Sequence, residues 1–372
     1  MHSEADIVFW QNSLSAHQAP LMRSLSGALG KRVLLVSLAG ASDTRREIGW
    51  DDVDYGAADV VVTDDPAERT RIIEQTRGAV AHVFSGIGAY PLVDAARTAL
   101  ASGRLHPHVA VLTESWDTRG IAGLARRVRA QRTVSREAKT VDTFFTIGRQ
   151  AREQFARMGI DANRIAPFGY AVDDHDSPES ASDRVELVFA GDLTEWKNPD
   201  LIVDALRGLT ADEWRLTMIG DGPLRQTLET SVNASELRGR VRFVGKIAHD
   251  ETRDLIAGSD ALILPSTYDG WGAVVGEALM SGTPALVSDA AGASDLVVGA
   301  LQGAVFGSRD AAGLRNALTS RTSEKLSAKA RAELKHWAAK AISADAFAAY
   351  MLSRLEGRVQ VNAPWRSGGE HG

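Results

Sequence analysis

Residues 261–288 constrain this chain more than any other stretch. Ala261-Leu262-Ile263-Leu264 is a continuous apolar run, the mark of a strand covered on both faces of a parallel sheet. A glycine-bearing turn follows, Pro265-Ser266-Thr267-Tyr268-Asp269-Gly270-Trp271-Gly272. Next comes a helical segment carrying Glu277, then Gly282-Thr283-Pro284 and a second apolar run, Ala285-Leu286-Val287-Ser288. The sequence predicts strand, loop, helix and strand, with Asp269 and Glu277 about two helical turns apart. Backbone N–H groups at the start of such a helix hold anions. A carboxylate on it can accept hydrogen bonds from two ligand hydroxyls.

The same alternation runs through the chain. Short β-branched runs at 7–10, 33–36, 60–62, 80–84, 109–112 and 143–147 are separated by helical patterns such as 19–29, 90–101 and 149–158. This predicts an α/β doubly wound parallel sheet. Residues 169–180 are polar and turn-rich and read as a linker. A second alternation then begins, with runs at 185–190, 215–219, 241–244, 261–264 and 285–287. From 323 to 356 the chain is Ala-rich and helical in pattern, with Phe347, Tyr350, Met351 and Leu355 spaced for one buried face. The expected domains are 1–172, completed by a C-terminal helix at about 340–357, and 173–339. Residues 358–372 are expected to form an irregular tail that Trp365 can pin.

A chain of 372 residues is long enough for two such domains. With 24% charged and 44% hydrophobic residues and a net charge of −6, it reads as soluble and without the global basic excess of a nucleic-acid binder. There is no Cys, which excludes disulfides and Cys-type zinc sites and suits a reducing cytoplasm. The polar start and the short apolar run at 7–10 do not read as a signal peptide. No apolar run reaches the length of a membrane span.

Four segments, taken in order, resemble the donor domain of retaining GT-B glycosyltransferases of the large bacterial mannosyl- and glucosyltransferase-like family, the glycosyl transferases group 1. Phe189-Ala190-Gly191-Asp192-Leu193-Thr194-Glu195-Trp196-Lys197-Asn198 resembles the family's Gly-Arg-Leu…Lys-Gly segment. Ile219-Gly220-Asp221-Gly222-Pro223 resembles its Gly-Asp-Gly-Pro turn, and Val241-Arg242-Phe243-Val244-Gly245-Lys246 its Val-x-Phe-x-Gly strand. Asp269 and Glu277 fall on its paired acids. The match covers about 140–355 well and the N-terminal half weakly.

The resemblance implies a GT-B fold, two Rossmann-like domains facing a cleft. It implies that Glu277 contacts the nucleotide ribose hydroxyls, that Asp269 lies near the transferred sugar, and that Lys197 neutralises the diphosphate. Gly270, Trp271 and Gly272 would offer backbone N–H groups, with the Trp271 ring packed; Gly191 would lie at the diphosphate, and Lys246 and Ile247 would hold the base. Asp192 departs from the family, which has Arg there. A carboxylate beside a diphosphate repels it, so Asp192 is expected to turn away or cap a turn, with Lys246, Arg225 or Arg149 as replacement cations. In the N-terminal half, His17 follows the first strand and Glu114 the strand at 109–112. Both sit at strand carboxyl ends, where open α/β sheets bind ligands, and are candidate catalytic residues, His17 as a contact to the acceptor or a phosphate and Glu114 as a contact to the sugar or acceptor. His82, His106 and His108 read as structural.

Arg126, Arg127, Arg129, Arg132, Arg136 and Lys139 crowd residues 126–139. The segment is either a solvated helix face or a dock for an anionic membrane surface. Asp52-Val53-Asp54 and Asp174-His175-Asp176 read as acidic loops rather than metal sites. The function implied by the resemblance is retaining transfer of a hexose from a UDP- or GDP-sugar to a saccharide or lipid-linked acceptor in bacterial glycan biosynthesis. No metal or cofactor is expected to be required, no nucleic acid partner is expected, and the expected location is cytoplasmic, with membrane association as the alternative if residues 126–139 dock on lipid. A GT-B nucleotide-sugar epimerase, or a non-catalytic partner of an active transferase, are the alternatives.

Overall fold

In a computed structural model of the protein, residues 5–40, 53–101, 107–175, 182–209, 214–323, 325–358 and 362–366 are described. Asp52, His106, Asp176, the linker residues 177–180 and most of the segment after 358 therefore lie outside the described residues. The chain divides into two compact units. One comprises Met1–Ala171 with Ala344–Pro364, the other Val172–Ser343 with Trp365–Gly372.

The first unit is built on β1 (Ile7–Gln11), β2 (Val33–Ser37), β3 (Asp59–Val62), β4 (Ala81–Ser85), β5 (His108–Thr113), β6 (Thr143–Ile147) and β7 (Ile165–Phe168). Their order is β3-β2-β1-β4-β5-β6-β7, parallel throughout the described residues. The inner strands are buried on both faces, which is why they read as largely apolar runs. Trp10, Phe84, Phe144 and Phe155 fill one core layer with Val8, Leu34 and Val111. The helix Ala344–Leu355 belongs to this unit. Phe347 meets Phe168 edge-on at 5.0 Å, and Asp345 accepts from the Ser24 hydroxyl on the helix Ala19–Ser26.

The second unit contains β8 (Val185–Ala190), β9 (Trp214–Ile219), β10 (Val241–Gly245), β11 (Ala261–Leu264), β12 (Ala285–Ser288) and β13 (Gly303–Phe306). The order is β10-β9-β8-β11-β12-β13, again parallel. Phe189, Trp214, Leu216, Met218 and Ile263 form its core with the helices Asp200–Leu206 and Ala311–Thr322. Trp365 is fully buried.

Some elements escape the apolar pattern. The edge strand β7 contains Pro167, which a central strand would not tolerate. The edge strand β13 is only half-buried and so lacks a strong apolar run. The helix Pro66–Thr76 has weak amphipathicity, yet its start was written in the chain: Asp65 accepts from Ala67 N at 2.9 Å and Pro66 opens the first turn. The helical stretch after 323 is two helices, Ala328–Ala341 and Ala344–Leu355. They part at Ser343, which forms a parallel bridge with Val172.

Two of the histidines read as structural are buried in hydrogen bonds. Trp10 Nε1 donates to His82 Nδ1 at 3.1 Å, so His82 Nε2 carries the proton and donates to Thr76 O at 3.0 Å. Burial pushes the His82 imidazole down to about 4, and burial also lowers His108, whose Nε2 lies 2.9 Å from Thr143 Oγ1. An unfolded His82 would take up a proton below its ordinary value while the folded one stays neutral. Stability is therefore lost as pH falls through this window, by about 3 kcal/mol once pH is below both values. Urea unfolding at pH 7.5 and pH 5 should show about 2 kcal/mol of this loss, and His82→Gln, a neutral mimic of both hydrogen bonds, should flatten it. An equal slope in the variant would refute the assignment.

Candidate functional site

In an open α/β sheet, ligands bind beyond the strand carboxyl ends where the strand order reverses. In the second unit that place is between β8 and β11. Gly191, directly after β8, donates to Ile219 O at 3.0 Å and sends the chain over the sheet edge. The neighbouring Gly220 must be glycine: at φ 123° an added Cβ would lie 2.0 Å from Gly191 O. The loop then turns tightly, with Lys197 N and Asn198 N both donating to Thr194 O at 3.1 and 3.0 Å. Asn198 has φ 54°, a left-handed conformation rare outside glycine. Its amide donates to Pro265 O at 3.3 Å and Ser308 O at 3.1 Å, which ties the loop to the end of β11.

This arrangement aims Lys197 across the reversal. Its Nζ lies 2.6 Å from Asp269 Oδ2, with both side chains mostly buried. The Asp269 backbone is fixed in place: its N–H donates to Ala290 O, its carbonyl accepts from Gly292 N, and it bridges to Ala291. Gly272 has φ 93° and caps the helix Ala273–Met280. A Cβ there would meet Leu264 at 2.7 Å, so the sharp turn that brings the helix start beside Asp269 requires glycine. Gly270 and Gly272 remain partly exposed, whereas Trp271 is buried, its Nε1 without a partner among the described residues.

Glu277 lies on the same helix, its side chain 15% exposed and Oε1 3.9 Å from His249 Nε2. Burial raises its carboxyl above the ordinary range, against the opposing pull of His249, Arg253 and His175. Arg253 is held by Asp173 O at 2.6 Å, and His175 Nε2 lies 2.9 Å from Asp254 Oδ1. His175 thus belongs to the charged surroundings of Glu277, a role the acidic-loop reading of 174–176 did not contain.

Asp192 is exposed and its carbonyl accepts from Thr194 N. Of the three replacement cations, Arg225 is engaged by Asp221 at 3.0 Å and Glu229 at 2.8 Å. Asp221 itself accepts from Gly222 N, as a turn residue does. Arg149 lies on the helix Gly148–Arg157 of the first unit, 3.9 Å from Glu153. Lys246 is exposed beyond β10, makes no ion pair among the described residues, and precedes the half-buried Ile247.

In the first unit the strand order reverses between β1 and β4, and a cavity of about 440 Å³ opens there. Gln11, Ser13, Ser15, Gln18, Glu114 and Tyr170 give it polar walls, and Tyr90 and Trp116 apolar ones. Beside it, His17 stacks on Tyr170 with centroids 5.2 Å apart, and the Tyr170 hydroxyl donates to Glu114. The two N-terminal candidates are therefore joined through a tyrosine that read as part of the linker. Gln11 was also missed. It is 3% exposed, and its Nε2 donor has no partner among the described residues. The available signal was a polar residue closing the apolar run Ile7-Val8-Phe9-Trp10.

Two parallel, doubly wound units of this kind define the GT-B fold, and solved structures agree. The lipopolysaccharide outer core galactosyltransferase WaaB superimposes with a TM-score of 0.71 at 15% identity, over 95% of this chain and 99% of that one. Anabaena HepE in complex with UDP does so with a TM-score of 0.67 at 14% identity, over 94% and 99%. Residues 172–341 match the model of the family "Glycosyl transferases group 1". Glycogen synthase of Mycobacterium tuberculosis is 32% identical over 178 residues, 47% of this chain and 41% of that protein. A GDP-mannose-dependent phosphatidylinositol dimannoside mannosyltransferase of the same organism is 28% identical over 176 residues, 44% and 45%. The chain thus matches less than half the length of these relatives.

Proposed function

We propose that the protein is a retaining, metal-independent glycosyltransferase that moves a hexose from a UDP- or GDP-sugar to a saccharide or glycolipid acceptor. The observation that carries this reading is the Lys197–Asp269 pair set across the strand reversal, with Glu277 two turns along the adjoining helix. A relative that uses GDP-mannose and a structural neighbour that holds UDP support the donor class. The donor diphosphate lies against Lys197 and the N–H groups around Gly272 and Gly191, the ribose diol on Glu277, and the sugar near Asp269. Lys246 and Ile247 flank the base.

The acceptor occupies the cavity of the first unit, against Gln11, Glu114 and His17. The bond from the anomeric carbon to the β-phosphate oxygen breaks, the acceptor hydroxyl bonds to that carbon on the same face, and its proton passes to the leaving phosphate oxygen. Lys197 and the loop N–H groups stabilise the charge developing on that phosphate.

The test is turnover with a panel of UDP- and GDP-hexoses chosen by thermal shift, since a true donor stabilises the folded state by mass action. NMR of the product anomer checks retention, and activity in EDTA checks metal independence. Donor binding without turnover on any acceptor would favour the non-catalytic reading, which the exposed carboxylate of Asp192 near the phosphate-facing loop keeps in play.

Gln11→Met offers a separate check on the acceptor cavity. Removing a buried amide whose Nε2 has no partner among the described residues should raise stability by about 1 kcal/mol while raising the acceptor KM roughly tenfold. The donor-induced thermal shift should not change. An unaltered acceptor KM would move the acceptor elsewhere.

A further inference from the structure

The helix Gly120–Glu137 opens directly after the loop that carries Glu114 and Trp116. It is buried through Gly123, Ala130 and Val134. On the opposite face stand Ile121, Leu124 and Val128, 93%, 61% and 45% exposed. Their spacing of three and four residues makes one continuous outward ridge, about two turns long. Large apolar side chains this exposed have no folding purpose, and three in a row mark a contact surface.

The charges around the ridge say what it contacts. Arg127, Arg129 and Arg132 are exposed, and none has a hydrogen-bond or ion-pair partner among the described residues. Arg126 instead grips Asp117 O at 2.7 Å, and the other end of the helix is fixed by Glu137 on the buried Arg97 at 2.7 Å. The helix is thus clamped at both ends, with its apolar ridge and free guanidinium groups turned outward. Nucleic acid would use the arginines but not the ridge. An interface of acyl chains beneath anionic headgroups uses both.

We propose that this helix lies on an anionic lipid surface, with Ile121, Leu124 and Val128 inserted below the headgroups and Arg127, Arg129 and Arg132 among them. Nothing in this docking depends on the donor site. The test is co-sedimentation of the full chain with phosphatidylcholine vesicles, with and without phosphatidylglycerol. Binding is expected only to the anionic vesicles, and it should weaken with salt.

Replacing Arg127, Arg129 and Arg132 by Ala should lower partitioning roughly fivefold for each arginine removed. Ile121→Ser with Leu124→Ser should lower it with every charge intact, and because these side chains are exposed the melting curve should not move. Failure to bind anionic vesicles, or full binding by both variants, would overturn the assignment. So would a dimer in gel filtration that the serine variant converts to monomer, since the ridge would then be a face for a second copy. A failed donor reading would appear instead as a missing donor-induced thermal shift, with vesicle binding unaffected.

Discussion

Lys197→Ala is expected to lower kcat/KM by at least about two to three orders of magnitude, the range seen when one preorganised donor to developing charge is lost. In the resting protein the ammonium already stands at its post, 2.6 Å from Asp269. It is put there by the left-handed turn at Asn198, whose amide is anchored to Pro265 and Ser308. A departing nucleoside diphosphate would meet a charge that needs no reorganisation. The truncation leaves the Asp269 carboxylate mostly buried without its cation, which should cost about 1–3 kcal/mol of stability. The kinetics must therefore be read below the variant's own melting transition. Lys246→Ala, at an exposed lysine, should cost less than tenfold. A Lys197→Ala enzyme keeping more than a tenth of its kcat/KM would end the assignment of this lysine to the leaving group.

Glu277→Gln should have opposite effects on stability and on donor binding. Burial raises the Glu277 carboxyl, which means the folded chain holds its proton more tightly than the unfolded chain does. The sign follows from linkage: stability falls as pH rises from the ordinary glutamate range through the raised value, and the loss is complete above it. An ionised Glu277 is therefore a standing cost at neutral pH, only partly relieved by His249, Arg253 and His175. Glutamine removes the cost, so the ligand-free variant should melt higher at pH 8 and show a weaker pH dependence. If Glu277 accepts from the ribose diol as proposed, the same change removes a charged acceptor and should weaken donor binding about tenfold to a hundredfold. Melting curves at pH 5 and pH 8, with and without donor, measure both effects. A variant that melts lower and keeps the full donor shift would show that Glu277 serves the fold alone.

The inner strands were readable because burial on both faces leaves nothing but apolar residues to choose from, as in 261–264. Edge strands carry no such compulsion, and β7 with its proline and half-exposed β13 passed unseen. Around the proposed donor site, Lys197, Asp269 and Glu277 could be picked out from a motif, but the Lys197–Asp269 pairing could not. The 2.6 Å contact joins loops after β8 and β11, and only the strand order brings those loops together. The same holds for Tyr170, which reaches Glu114 across 56 positions of chain, and for His175, whose partner Asp254 lies on the helix His249–Ala257. The outward ridge on the helix Gly120–Glu137 was half legible: the arginines stood out, but which apolar residues faced away from the core depended on what the helix packed against.

The bridge between Val172 and Ser343 gathers all of the second unit except its Trp365 end into one insertion, and this sets the order in which a ribosome can deliver finished parts. The first unit is left incomplete after Ala171, with Phe168 and the Ser24 face of its first helix waiting for Ala344–Leu355. At about 5–20 residues per second, that closing helix emerges roughly ten to thirty seconds later. During the wait the inserted unit has time to form its sheet and helices, lacking only Trp365, which emerges after the closing helix. An uncapped apolar edge on the nascent chain is then the point at which a chaperone would be needed, and a pause in translation before residue 344 would lengthen that exposure.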